Sequence, residues 1–361
     1  MDKKIDIFIP TCNRSIMLDL VLESIQFNLR GYNKIYVFYE ASNKSYLDGY
    51  EITKKKYIKV FSNNIHFIKK KSLVHTTELF NQYLLNDLLI LTDDCLIFRN
   101  YDLLNDLSSK FFFNEDKVIS NSLRHSIDMP DQLNSNERFT NKIKNDHTNL
   151  NNQAFNFAKP NFINFNFSNH IDKEEKNIIP DYGVWSIYDS LNSSIFSSFL
   201  NPCLQIFKKE DFLRWINRYG KEKSFLNITD ALKYEFYPNV IKNKFIYFFL
   251  DTLDKIYHFV CDKISKRKIK PSHIFKNFFA FYFSRTSKID NKYLMCCPQK
   301  QIGFDYNIGS LHLNENVSNF KELNDKYLNG FVINYEKFQT LKIIIHSQRL
   351  PSKKIFLCKN Y

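Results

Sequence analysis

The sequence predicts an α/β protein organised on a mostly parallel sheet flanked by helices, and three observations carry the prediction. Between Ile5 and Ile119, short apolar runs alternate with segments whose apolar residues recur at helical spacing. Two of those runs, Ile5-Asp6-Ile7-Phe8-Ile9 and Leu88-Leu89-Ile90-Leu91, suit buried strands. Both stop abruptly at loop-preferring polar residues, Pro10-Thr11-Cys12-Asn13-Arg14 and Thr92-Asp93-Asp94-Cys95. In an open α/β sheet, ligands gather outside the carboxyl ends of the strands. The two polar tips are therefore expected to face one crevice.

Ile5 to Ile9 is the first expected strand. Leu18, Val21, Leu22, Ile25 and Leu29 follow at helical spacing, with Asp19, Glu23, Gln26 and Arg30 on the other face. Gly31 stands where a helix C-cap would want it. Ile35 to Tyr39 and Ile65 to Ile68 read as the second and third strands, and Thr76 to Leu85 as a helix. Leu88 to Leu91 makes the fourth strand, and Val118-Ile119 a further short one. From Asp128 to Pro180 the pattern dissolves into Asn-rich polar sequence with isolated Phe155, Phe157, Phe162, Phe165 and Phe167. That is longer than an ordinary connection and reads as a functional excursion or a partly disordered segment. Leu204 to Phe207 then reads as a strand and Asp211 to Tyr219 as a helix closed by Gly220. Thr229 to Phe236 reads as another helix, stopped by Pro238.

Residues 242–285 are the most unusual. Phe245, Phe249, Leu253, Ile256, Val260 and Ile264 share one helical face, and Lys263, Lys266, Arg267, Lys268 and Lys270 cluster just after it. A second aromatic segment, Ile274 to Arg285, follows. An amphipathic helix with Phe on one side and Lys/Arg at its edge suits an anionic membrane surface; internal core and a dimer face are the other readings. The remainder holds Ile302 to Leu313, a helix-like stretch from Phe320 to Tyr327 and a strand-like run from Leu341 to Ile345. The expected division is 1–240 as the ligand-binding and catalytic domain, with 128–180 as a long polar insertion near its site. Residues 241–361 would form a helical, aromatic and basic extension that closes the site.

Composition narrows the function. At 44% hydrophobic and 25% charged residues over 361 positions, the chain can bury a large core. Only 7 glycines are present, and neither a Walker A loop nor a GxGxxG turn can be assembled from them. The net charge of +13 suits nucleic acid, an anionic membrane or a phosphorylated substrate. No nucleic-acid-binding motif accompanies the basic residues, so nucleic acid is the least expected of the three. The 7 cysteines are scattered and never spaced Cys-x-x-Cys, which fits a reducing cytoplasm better than a zinc ribbon or a disulfide framework. Met1-Asp2-Lys3-Lys4 runs straight into a strand, so no signal peptide is expected.

Asp93 and Asp94 end an apolar strand and can be read as a shortened Asp-x-Asp site. Paired carboxylates offer hard oxygen ligands to Mg²⁺ or Mn²⁺, which neutralise a diphosphate leaving group. The plainer reading is a solvated turn. Pro10, Thr11, Asn13 and Arg14 offer a rigid strand exit followed by hydroxyl, amide and guanidinium groups; a turn with an N-cap would use the same residues. Glu40, closing the second strand, could accept a hydrogen bond from a base or ribose, or be a surface acid.

These segments resemble the GT-A glycosyltransferases, in particular the family 2-like bacterial enzymes, whose pattern runs strand–Pro-Thr-x-Asn-Arg, strand–Asp-Asp-Gly-Ser, strand–Asp-x-Asp. The resemblance implies a Rossmann-like GT-A sheet in which Pro10, Thr11, Asn13 and Arg14 line a nucleotide pocket. Glu40 would stand for a base-binding Asp, Lys70 or Lys71 would make a basic nucleotide contact, and Asp93 and Asp94 would be diphosphate and metal ligands. It further implies an acceptor-activating base, Asp230 or its rival Asp181, and a metal- or diphosphate-reaching His312. Ala41 replaces the glycine of the pattern and Cys95 a frequent third acid. The implied activity is metal-assisted transfer of a sugar from a nucleotide-diphosphate donor to a glycan or lipid-linked acceptor in bacterial surface polysaccharide synthesis, at the cytoplasmic face of the inner membrane. A sugar nucleotidyltransferase and a catalytically silent glycan-binding protein are the alternatives.

Overall fold

The computed structural model describes residues 3–71, 75–127, 181–186, 203–219, 244–265, 293–305, 320–339 and 357–359. The first half contains β1 (Ile5–Cys12), α1 (Ser15–Asn28), β2 (Leu29–Arg30), β3 (Ile35–Glu40), α2 (Lys44–Phe61), β4 (Ile65–Lys69), α3 (His75–Tyr83), β5 (Asp87–Ile90), β6 (Cys95–Ile97), β7 (Tyr101–Asp102), α4 (Leu107–Asn114) and β8 (Val118–Ser122). There follow β9 (Tyr182–Ser186), β10 (Gln205–Phe207), α5 (Lys209–Tyr219), α6 (Lys244–Ser265), β11 (Leu294–Pro298), β12 (Gly303–Asp305), α7 (Phe320–Leu328), β13 (Phe331–Ile333), α8 (Tyr335–Gln339) and β14 (Leu357–Lys359).

Eight strands form one sheet in the order β4-β3-β1-β5-β10-β8-β11-β9. β4, β3, β1, β5, β8 and β11 run one way, and β10 and β9 run against them. The fold is therefore α/β with a mixed, mostly parallel sheet flanked by helices. Both faces are covered, and the period-two alternation of the strands assigns each side chain to a face. Ile5, Ile7 and Ile9 join Val37 and Leu89 beneath α1 and α2. Phe8 joins Tyr36, Phe38, Leu88 and Ile90 on the opposite face, with Phe80 of α3 and Trp215 of α5.

Chain order reverses between β1 and β5. From β1 the chain builds outward through β3 and β4, then returns to place β5 on β1's other side. A crevice opens at the strand tips of such a switch point. Pro10 marks where it starts. The β1–β5 register ends at Phe8↔Ile90, with Leu91 N donating to Phe8 O at 3.0 Å. Backbone groups alternate sides along a strand, so residue 10 faces β5 just after that ladder stops, and a residue without an N–H fits there.

Several expectations need correction. The 18-residue helix α2 was not anticipated; its Lys-rich outer face hides a buried stripe of Gly49, Tyr50, Thr53, Tyr57 and Phe61. Gly31 does not cap α1, which ends at Asn28 before the two-residue strand β2. Its φ of +78° and its approach to Asp102 instead shape the next turn. Val118-Ile119 is the start of a five-residue strand. The α6 residues Phe245, Phe249 and Ile256 are exposed, so an internal core position is ruled out for them. The expected helix 229–236, the excursion 128–180, the aromatic segment 274–285 and the run 341–345 lie outside the described residues. No helix among the described residues is long and apolar enough to cross a membrane.

Candidate active site

The two polar strand tips meet. Thr11 Oγ1 donates to Asp93 Oδ2 at 2.7 Å, and Arg14 pairs with Asp93 Oδ1 at 2.8 Å. Asp93 and Thr11 are buried. Tyr50 completes the cluster from below: its hydroxyl shares a 2.8 Å hydrogen bond with Thr11 Oγ1 and accepts one from Arg14 N at 3.0 Å. Burial, then the nearby Asp93 charge, holds the Tyr50 phenol far above its ordinary range, so it stays neutral. The same Asp93 charge pushes the Arg14 guanidinium upward and outweighs the opposing effect of its burial.

Local backbone chemistry aims these groups. Asn13 adopts a left-handed φ of 57°, which asparagine tolerates better than most residues. Its N–H donates to Glu40 O at 3.0 Å, and its Oδ1 accepts from Ser42 N at 2.8 Å. Asn13 therefore ties the β1 tip to the turn after β3 and does not cap α1. Arg14 is the N-cap residue of α1 and makes no side-chain cap bond, so its guanidinium is committed to Asp93. The α1 N-terminus adds partial positive charge to that of Arg14.

Glu40 ends β3 beside Cys12, its register partner. One of its carboxylate oxygens, Oε2, is buried with no hydrogen-bond partner. A buried carboxylate oxygen left unsatisfied is costly and calls for a donor from outside the chain. Lys70, just past β4, is buried; burial lowers its pKa, while Cys12, Glu40 and Asp93 act against that shift. Its backbone N–H donates to Tyr39 O at 2.8 Å, which sets it beside the end of β3. Lys71 is exposed.

Asp94 is tied differently from Asp93. Thr92 Oγ1 donates to Asp94 Oδ1, and Cys95 folds back on the same hydroxyl at 3.1 Å. Burial, then the Asp93 charge, raises the Asp94 carboxyl above the ordinary carboxylate range. A strongly perturbed carboxyl at a strand-tip crevice is a frequent mark of a functional site. As a cation site, the pair fits at Asp94: both Asp93 oxygens are already hydrogen-bonded, whereas no described side chain donates to Asp94 Oδ2. Among the described residues, no group of three or more His, Cys, Asp or Glu side chains converges to hold a metal.

Comparison with family models finds no match, and no curated protein sequence matches. Among solved structures, S. aureus TarS 1–349 in complex with UDP is similar at 14% identity and a TM-score of 0.34, over 64% of this chain and 54% of that one. A second structure of S. aureus TarS 1–349 aligns at 12% identity and a TM-score of 0.34, over 64% of this chain and 54% of that one. 4-Diphosphocytidyl-2C-methyl-D-erythritol synthase aligns at 11% identity and a TM-score of 0.20, over 26% of this chain and 48% of that one. This chain thus spans about half the length of each of these three solved structures. The reading of the site rests on its own geometry.

Of the other expected site residues, Asp181 does not join the crevice. It is exposed and precedes β9, the outermost strand on the far side of the sheet. Four strand spacings separate β9 from β5, roughly 19 Å. The edge position of β9 sets that separation; its antiparallel pairing with β11, Pro298↔Tyr182, leaves Asp181 at the same end of the sheet as the β1 and β5 tips. Asp230 and His312 lie outside the described residues.

Two participants were not foreseen. Tyr50 belongs to the unanticipated α2, where the 49/50, 53, 57, 61 spacing was the available signal. Phe320 opens α7, and its ring lies 4.7 Å from the Arg14 guanidinium carbon. Buried contacts fasten α7 and α8 to the first half. Asn324 Oδ1 accepts from Ser15 Oγ at 3.1 Å, Tyr327 OH bonds Thr53 Oγ1 at 2.9 Å, and Tyr335 OH donates to Ile97 O at 3.0 Å. Gly49 lies where these helices meet: a Cβ there would come within 2.4 Å of Ser15 Oγ and 2.6 Å of Asn324 Oδ1.

Tyr50→Phe is expected to cost about 1–2 kcal/mol in urea unfolding, because it leaves Arg14 N–H without its buried acceptor. Destabilisation within error would mean that the phenol is not needed to hold the strand tip.

Proposed function

We propose that the chain is a glycosyltransferase that takes a sugar from a nucleotide-diphosphate donor bound across the β1–β5 crevice. The observation that supports this most directly is the meeting of the Thr11–Arg14 turn with Asp93 and Asp94 at the switch point. In this reading Glu40 Oε2, buried and unsatisfied, accepts a hydrogen bond from the base or ribose. Arg14 supplies fixed positive charge toward the diphosphate, and Lys70 donates hydrogen bonds to it. Asp93, with Thr11 and Tyr50, holds Arg14 in place.

Asp94 would hold Mg²⁺ or Mn²⁺, an ion that acts as a Lewis acid on the leaving diphosphate when bound. We infer that the acceptor is a glycan or a lipid-linked sugar, as the resemblance of the strand tips to the family 2-like GT-A enzymes implies.

A panel of UDP-, GDP-, CDP- and TDP-sugars, assayed with Mn²⁺, Mg²⁺ or EDTA, tests the proposal through release of free nucleoside diphosphate. One donor is expected to be turned over, with the rate falling on chelation. Pyrophosphate as product would assign a nucleotidyltransferase instead. Neither product, with a nucleotide still bound, would leave a silent binding protein.

A further inference from the structure

The long helix α6 turns an apolar stripe outward. Phe248 is 71% exposed, Phe249 54% and Ile256 55%. Positions 249 and 256 are separated by two helical turns, with 248 beside them, so the three lie along one face. On the opposite side of the helix Leu250 is buried, 1% exposed. Contiguous exposed apolar surface of this kind marks a contact site in a folded chain.

Charge selects the occupant. The helix itself is balanced, with Lys244, Lys255 and Lys263 against Asp251, Asp254 and Asp262. Directly after its last residue, Ser265, the sequence adds Lys266, Arg267, Lys268 and Lys270, in a chain whose net charge is +13. Two copies so charged repel each other, whereas an anionic lipid surface attracts both the run and the whole molecule. At 22 residues the helix is about 33 Å long and can lie along such a surface. It is not apolar enough to cross a membrane.

We propose that α6 is an interfacial helix, with Phe248, Phe249 and Ile256 entering the headgroup–acyl boundary of an anionic bilayer, to which the net positive charge of the chain attracts it. Docking of this kind requires no turnover. Its failure is therefore distinct from failure of the transferase reading.

The test is co-sedimentation of the full chain with vesicles of phosphatidylcholine alone or mixed with phosphatidylglycerol. Binding to the mixed vesicles and not to phosphatidylcholine, weakening as salt rises, is expected. Each basic side chain near the surface contributes about a fivefold gain in partition. Lys266→Gln/Arg267→Gln/Lys268→Gln together should therefore lower it about a hundredfold. Phe248→Glu/Phe249→Glu should lower it by about tenfold or more, with circular dichroism confirming an intact fold. The proposal is overturned if the wild type binds neither vesicle or binds both equally, or if the charge-neutralised chain binds as the wild type does. It is also overturned if the chain dimerises in solution through this face, with Phe248→Glu/Phe249→Glu splitting the dimer and no vesicle binding detected.

Discussion

Asp94→Asn is expected to slow release of nucleoside diphosphate from the donor by about a hundredfold or more, while the folded state becomes no less stable. The two halves of this result have one origin. Burial and the neighbouring Asp93 charge raise the Asp94 carboxyl, so ionising it in the folded chain opposes folding. A neutral amide of the same shape removes that opposition. It also removes the one acid of the pair with a carboxylate oxygen left for a cation, and loss even of groups that only support a metal ligand costs 10–100-fold. Steady-state rates beside thermal unfolding check both halves. Near-normal turnover would take Asp94 out of the reaction. Lost turnover together with a large loss of stability would make Asp94 a structural residue.

Asp93→Asn is expected to act on the fold as well as on the site. Asp93 accepts from Arg14 and Thr11 at 2.8 and 2.7 Å, and it is the principal charge acting on the Arg14 guanidinium. Neutralising it deprives a largely buried cation of its principal counter-charge. Such changes cost 3–5 kcal/mol in fully buried pairs, and the partial exposure of Arg14 brings the expectation to about 2–4 kcal/mol. A double-mutant cycle with Arg14→Met separates the pair from its surroundings. If Asp93 mainly positions Arg14, the double variant should be less destabilised than the sum of the singles by about 1–3 kcal/mol, and nucleotide affinity should fall about equally in all three variants. Additive effects would mean that the two residues act independently. Unfolding in urea and nucleotide titration provide the two readouts.

Both experiments concern residues that were legible as a pair of strand tips, because the cue was local. An apolar run buried on both faces that breaks into Thr-x-Asn-Arg or Asp-Asp can be read one strand at a time. The helix α2 was not legible in this way. Lys44, Lys54, Lys55, Lys56 and Lys59 dominate its composition, and the polar Tyr and Thr of its buried side do not look like a core stripe. Only once those hydroxyls are seen bonding Thr11, Asp19 O and Tyr327 does the stripe become apolar surface with satisfied tips. The outward turn of the α6 stripe was equally hidden. Periodicity states that one face is apolar and says nothing about what lies opposite it.

The sequence by itself determined the α/β class, the chemistry displayed at the ends of β1, β3 and β5, and the lack of glycine for a phosphate loop. All of these follow from neighbours along the chain. Tertiary structure alone decided that Asp93 holds Arg14, that Tyr50 supports both from α2, that Phe320 stacks on Arg14 from the other end of the chain, and that Asp181 stands at the edge strand, four strands from β5. These are contacts between residues tens to hundreds of positions apart. Strand order and helix packing set them, and no local pattern of residues encodes which distant side chain will arrive.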